Sequence, residues 1–463
     1  MVTNINMMRS LQRVTFFLTF ALFLSIGFAF AQKPNVAKID TFFTRVAQRG
    51  IFQGSVLLSV NNRPIYQKAF GYANKEHKVK NTVSTKFRLA SLSKTITAIA
   101  IMQLVQEEKL NVTDRISDIL NWYPKAIGNF VSIQDLMMMN SGIPSYTSNY
   151  DFVSFTSRNN AQFTREFILR FCTPTTLMFQ PGSDQFNYSN SNYYILGAII
   201  EQVTGSPYAD VINEKIFKRI GMTNSGYYYN TGIYDNFATG YSVEPVIQVA
   251  AYYDQTSAYS TGGLYSTVED LFKLDQAFYS EKLLQKKYID EIFKDRFPKD
   301  STGSAWLYGW QYVPNTKKTM VYKTGILWGS RTLFLRDLVN QNAIILLNNT
   351  DNENSTGFAL LANLLYLLKG SEPPLPVKQD ICILMADIIN TKGVDSAIAK
   401  YKEIKASASA ANWVITDAEL YSIGKFLLDR NDQTGASKFF KLIASDFPAS
   451  IYATYQEKKA MTK

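Results

Sequence analysis

The stretch Phe87-Arg-Leu-Ala-Ser-Leu-Ser-Lys-Thr95 decides how this chain is read. In it, Ser91-Leu-Ser-Lys94 runs into an apolar segment where Ile96, Ile99, Met102 and Val105 recur along one side. That spacing predicts a helix from near Ser91 to about Glu108. Residues three apart share a helix face, so Lys94 reaches back toward Ser91. The first helical turn also carries unpaired N–H groups and positive potential. A serine placed there has a basic neighbour and a ready site for an oxyanion, the two needs of an acyl-transfer nucleophile. The pattern is cheap on its own, since Ser422-Ile-Gly-Lys425 fits it too and reads there as a helix surface.

Two further segments add to it. Tyr188-Ser-Asn190 follows the turn Pro181-Gly182 and precedes a helix predicted from Ser191 to Val203, closed by Gly205. Tyr228-Tyr-Asn230 and Tyr234-Asp-Asn236 share the spacing but lack that turn-then-helix setting, which can aim a phenol and an amide into a cleft. A phenol with pKa about 10 is a poor base at neutral pH. Lysines beside Tyr188 are expected to favour the phenolate and lower that value. Lys323-Thr-Gly325 occurs once, on a predicted strand followed by Gly329. Lys323 and Thr324 can hold a carboxylate, and Gly325 allows close approach of a substrate backbone.

Histidine is nearly absent. His77 is the only one, in the charged stretch Lys75-Glu76-His77-Lys78, which reads as a solvated turn. A histidine-rich zinc site and an HExxH protease are thereby excluded, and a hydrolytic base other than imidazole is expected. No cofactor or metal is implied. The two cysteines, Cys172 and Cys382, read as separate buried thiols and not as a disulfide framework. The formal charge of +10 comes without a dense Lys/Arg block or a nucleic-acid motif, so no nucleic-acid partner is expected and the basic surface reads as dispersed.

Arg9 and Arg13 precede the apolar run Val14 to Phe30, which ends in Ala29-Phe30-Ala31. This reads as a signal peptide over residues 1–31 cleaved after Ala31, giving an exported, periplasmic or secreted protein. The rival reading is an uncleaved anchor. No later segment is apolar enough to span a membrane, so no stable insertion is expected after cleavage. A helix is predicted from Val36 to Arg49, and Ser55–Val60 and Pro64–Phe70 flank Asn61-Asn62-Arg63 as a hairpin. Met320–Thr324, Arg331–Leu335 and Ala343–Leu347 read as strands, and a helix follows from about Gly357 to Leu368. Early and late strands bracketing a helical middle predict one antiparallel sheet flanked by helices, an α/β (α+β) fold. The domain organisation expected is a catalytic domain over 32–371, a Pro-rich linker at Glu372-Pro-Pro-Leu-Pro376, and a helical extension over 372–463. Within that extension Ala418–Leu428 and Gly435–Ile443 resemble one tetratricopeptide-like unit, a surface for protein contacts, or alternatively a helical cap on the catalytic domain.

Taken together, the three motifs resemble the serine β-lactamase and penicillin-binding superfamily. The likeness extends over Val36 to Leu368 and is to class C β-lactamases and the related D-alanyl-D-alanine carboxypeptidases, D-aminopeptidases and carboxylesterases. Asn140-Ser-Gly-Ile-Pro144, Gly262-Gly-Leu-Tyr-Ser-Thr267 and Tyr308-Gly-Trp310 support it. The resemblance implies a β-lactamase/transpeptidase-like sheet with a mostly helical second lobe. It also implies that Ser91 forms an acyl-enzyme, that Lys94 helps take its proton and that Tyr188 acts as base or proton shuttle. Asn190 would bind the substrate amide, Lys323 and Thr324 its carboxylate, and the N–H groups of Ser91 and Ile326 the oxyanion. Whether lysine or tyrosine is the primary base stays open at this level. Two departures stand out. Met137-Met-Met-Asn-Ser-Gly142 replaces a stretch that carries histidine in many relatives, which reads as repacking, and Lys323 stands where esterase-like relatives often have histidine. The functions implied are hydrolysis of a D-amino-acid peptide, such as one derived from peptidoglycan, or of a β-lactam. A carboxylesterase is the alternative in the same class, and a non-catalytic binding or scaffold protein the alternative outside it.

Overall fold

Asn61 and Asn62 both take left-handed backbone, with φ of 49° and 57°. Asparagine tolerates that region, and the resulting tight turn matches the right-handed twist of paired strands. It joins β1 (Gly54–Val60) to β2 (Arg63–Phe70). The remaining strands of the main sheet come from the far end of the sequence: β3 (Gln311–Tyr312), β4 (Met320–Leu327), β5 (Ser330–Asp337) and β6 (Asn342–Asn348). Their order is β3-β4-β5-β6-β1-β2, with antiparallel pairing throughout. This is the sheet expected from the sequence. The computed structural model describes residues 34–149, 151–152, 164–243, 245–252, 254–296, 306–352, 358–371, 373 and 378–452. The proposed signal segment and most of the Pro-rich linker lie outside the described residues.

Both faces of the sheet are covered. On β6, Ile344 and Leu346 join one core, while Ala343, Ile345 and Leu347 join the other. That alternation follows from the two-residue period of a strand, and double burial explains why the segment reads as an unbroken apolar run. Helices α1 (Val36–Gln48) and α5 (Phe358–Leu368) fill the first core with Ile39, Phe43, Val46, Leu361 and Leu364. The second core holds α2 (Ser93–Gln106), α3 (Asn190–Thr204) and α4 (Val268–Ala277). An ion pair between the fully buried side chains of Arg336 on β5 and Asp275 on α4 ties that helix to the sheet at 2.5 Å. The Arg336 guanidinium also lies 4.1 Å from the Phe278 ring centre.

Helix α2 departs from the sequence reading in two ways. A 3-10 turn, Ala90–Leu92, precedes it, and every residue from Ser93 to Leu104 is buried, not only one side. The cause is its position between the sheet and α3, where no face meets water. Cys172 lies in this core and Cys382 in a third one, each buried. His77 is exposed in the turn after the Tyr72–Asn74 strand.

Beyond α5, α6 (Ile381–Lys392), α7 (Val394–Ala406), α8 (Asp417–Asp429) and α9 (Gln433–Asp446) form two successive helical pairs around the third core. Asn352 Nδ2 donates to Asp380 Oδ2 at 3.1 Å, linking this segment to the end of the sheet. Among the described residues, no helix is long and apolar enough to cross a membrane.

Candidate active site

The site forms where the 3-10 turn, the start of α3 and the open end of β4 meet. The turn is tightly held. Ala90 has φ 50°, a conformation costly for a residue with a Cβ, so the surroundings must impose it. Three hydrogen bonds do so: Thr332 Oγ1 to the Leu89 carbonyl at 3.0 Å, Ser330 Oγ to the Arg88 carbonyl at 2.9 Å, and Leu89 N–H to the Leu264 carbonyl at 2.8 Å. Gly325 sits against this turn. A Cβ there would lie 2.2 Å from the Leu89 carbonyl oxygen and 2.3 Å from Thr332 Oγ1. The sequence reading assigned that glycine to substrate approach. In the structure its first requirement is to let β4 pack against the turn that carries Ser91.

Ser91 Oγ is the hub. Lys94 Nζ lies 3.1 Å away and the Tyr188 hydroxyl donates to it at 2.8 Å. Lys94 is fully buried and also reaches Asn190 Oδ1 at 2.8 Å and the Thr261 carbonyl at 2.9 Å. Burial, and then the nearby Lys323, hold its pKa well below the usual lysine range. A neutral amine can donate to Asn190 and Thr261 and keep its lone pair for the Ser91 hydroxyl. Asn190 is itself oriented, donating from Nδ2 to Thr147 Oγ1 at 3.1 Å and from its backbone N–H to Ser145 Oγ at 3.1 Å.

Tyr188 corrects one expectation. Burial pushes its hydroxyl up to about 12, and the hydrogen bond with Ser91 offsets only part of that rise. The lysines do not lower it, because Lys94 is driven toward its neutral form and Lys323 meets the face of the phenol ring, 5.2 Å from its centre, and not its oxygen. Tyr188 is therefore held toward its protonated form near neutral pH, in which it can donate a proton.

Lys323 is 2% exposed, and burial lowers its pKa to about 7. Its Nζ lies 4.2 Å from the Trp306 ring centre. Trp306 is fixed in turn by a hydrogen bond from Nε1 to the Met137 carbonyl at 3.1 Å and an edge contact with Tyr188 at 5.4 Å. Thr324 and Ile326 follow on β4, Thr324 half-buried and Ile326 59% exposed. Among the described residues, no side-chain hydrogen bond draws either into the Ser91 network. β3 pairs only with Val321 and Tyr322, so beyond them the outer edge of β4 has no partner strand among the described residues. That edge offers backbone groups to an extended ligand. The Ser91 N–H, in the first turn of its helix, has no intrahelical acceptor by construction.

The sequence reading did not single out Trp306 or the Thr261 carbonyl. A carbonyl leaves no trace in side-chain identity, and Trp306 stands just ahead of the Tyr308-Gly-Trp310 stretch that was noted. Met139, in place of a histidine of relatives, is buried with its sulfur accepting from the Ser189 N–H at 3.4 Å and Asn192 Nδ2 at 3.7 Å. It supports the loop that carries Tyr188 without entering the site.

Residues 39–368 match the family described as Beta-lactamase. PbpX of Bacillus subtilis, which bears the name of a penicillin-binding protein, is 28% identical over 309 residues, or 66% of this chain and 73% of that protein. The teichoic acid D-alanine hydrolase of Staphylococcus aureus is 27% identical over 289 residues, or 62% of this chain and 68% of its own length. Among solved structures, the octameric penicillin-binding protein homologue of Pyrococcus abyssi shares 25% identity with a TM-score of 0.63, covering 77% of this chain and 81% of that one.

Proposed function

Because the chain belongs to the beta-lactamase family, we propose that it is a serine hydrolase that forms an acyl-enzyme on Ser91 and acts on D-amino-acid amides, peptides or esters outside the cell. One observation carries the reading: Ser91 Oγ stands between the amine of Lys94 and the hydroxyl of Tyr188. As Oγ attacks the substrate carbonyl, its proton passes to neutral Lys94 and the carbonyl oxygen takes the negative charge. The N–H groups of Ser91 and Ile326 receive that charge. When the bond to the leaving group breaks, Tyr188 gives the departing atom a proton and regains one from Lys94. Water then attacks the Ser91 ester and gives its proton to the same pair; the bond between Oγ and the acyl carbon breaks, the acid leaves, and the pair returns that proton to Ser91 Oγ.

Lys323 supports a substrate carboxylate, which would restore its charge on binding. The teichoic acid D-alanine hydrolase among its relatives supports D-alanyl esters as a substrate class. A β-lactam, an amide bearing a carboxylate, fits the same groups. The partly uncharged state of Lys323 at neutral pH favours a second reading, a carboxylesterase accepting neutral esters. Arg9, Arg13 and the apolar run after them support export, and the helical pairs beyond residue 378 offer a surface to a protein partner.

The test is a panel on the purified protein: a D-Ala-D-Ala peptide, its L-isomer, a D-alanyl ester, a β-lactam and a neutral nitrophenyl ester. Turnover of the D-configured substrates above the L-isomer, absent in Ser91→Ala, is expected. Preference for the nitrophenyl ester moves the assignment to the carboxylesterase, and no turnover of any substrate by the folded protein removes it.

A further inference from the structure

Helix α3 has its first residue, Asn190, at Ser91 and its far half beside a different feature. A cleft of about 800 Å³ opens there. Its walls are aromatic: Trp122, Tyr208, Tyr227, Tyr229 and Tyr259, with the carboxylate of Glu201 among them. Oε1 of Glu201 accepts the Tyr208 N–H at 2.8 Å, which holds the carboxylate among these rings. Tyr259 is 7% exposed, and the Glu201 carboxylate lies close enough to its hydroxyl to raise its pKa, after the effect of burial.

Acidic side chains gather at and behind this cleft, with Glu201 on its lining and Asp210 and Asp254 near its tyrosines. The protein carries a formal +10. Yet burial first, then the phenols Tyr229 and Tyr208, and then the carboxylates of Asp254 and Glu201 raise the pKa of Tyr227, while burial, Asp210, Tyr234 and Glu201 raise that of Tyr229. Among the described residues of the lining, Arg165 is the one basic side chain, and its guanidinium already lies over the Trp122 ring at 5.5 Å. That wall attracts cations. Ring faces around a carboxylate recognise an ammonium ion carried on an apolar body.

We propose that this cleft is a second binding site, for an organic ammonium ion, and that its occupancy is communicated to Lys94. The route is short. Tyr259 belongs to the turn Tyr259–Gly262. In that turn the Ser260 carbonyl accepts from Thr97 Oγ1 at 2.7 Å and the Thr261 carbonyl accepts from Lys94 Nζ at 2.9 Å. Tyr208, another wall of the cleft, shares a hydrogen bond with the same Thr97 hydroxyl at 2.8 Å. A ligand that moves Tyr259 or Tyr208 acts on the turn holding the amine beside Ser91.

The probe is benzyltrimethylammonium, titrated into the full chain and followed by tryptophan fluorescence and calorimetry. Saturable binding is expected in both the native protein and Ser91→Ala, so its detection does not depend on hydrolysis. Glu201→Gln, which keeps an acceptor for the Tyr208 N–H, and Tyr229→Ala, at an exposed wall, should each weaken it about tenfold. Benzyl alcohol should not compete. Hydrolysis of a nitrophenyl ester should change with the same half-saturation as binding. Absence of saturable binding, or binding unchanged in both variants, overturns the site. Full occupancy with an unchanged hydrolysis rate overturns the coupling.

Discussion

Lys323 Nζ lies 4.2 Å from the centre of the Trp306 ring, and no carboxylate among the described residues is paired with it. The ring face is thus the main support for its charge while the site is empty. Replacing Trp306 with Leu removes that support, and kcat/KM for a carboxylate-bearing substrate should fall about tenfold, in line with a desolvated cation–π contact. Trp306→Phe should keep most of the activity, and neutral esters should be affected much less. Parallel kinetics on the two substrate types check this.

The two lysines give opposite signs in a pH profile. Lys94 must be neutral to take the Ser91 proton, so kcat/KM should rise with pH through its lowered pKa. Lys323 must be charged to hold a carboxylate, so for such substrates kcat/KM should fall again above about 7. A neutral ester should show the rise without the fall. Profiles of kcat/KM for both substrates, between acid and pH 9, decide it.

Burial of Lys323 also destabilises the fold. Its pKa is lower folded than unfolded, so stability is reduced fully below the folded value and recovers as pH rises toward the ordinary lysine value of 10.5. Lys323→Met should therefore raise the melting temperature at pH 6, by an amount on the order of a few kcal/mol in stability. It should also remove preference for carboxylate substrates. Thermal unfolding at pH 6 and pH 10 should show the gain shrinking at the higher pH.

Asp275 and Arg336 face each other with both side chains fully buried. Asp275→Ala leaves a buried guanidinium without its counter-charge and should cost about 3–5 kcal/mol. Denaturant unfolding should show that loss, while the acylation rate of the protein still folded stays near native.

What could be read from the chain follows physical lines. The sheet was legible because β5 and β6 are buried on both faces and so carry apolar runs, and because Asn61-Asn62 marks its turn. Ser91, Lys94, Tyr188 and Lys323 were legible because their chemistry lies in side chains at short, recurrent spacings. The left-handed backbone of Ala90 was not, since alanine has no preference for it and the strain is imposed by β5. Neither was the Thr261 carbonyl, which any residue could supply, or the seat of Lys323 on Trp306, which depends on packing between distant segments. Tyr188 reversed its expected shift because burial removes water from its hydroxyl, and the same burial disfavours the charge on Lys94.

The central claim is that Ser91 is the nucleophile. Intact-protein mass spectrometry after treatment with a fluorophosphonate tests it directly. A single adduct is predicted, mapping to the peptide that contains Ser91 and absent from Ser91→Ala. An adduct of equal yield in Ser91→Ala, or one that maps to another serine, would contradict the account.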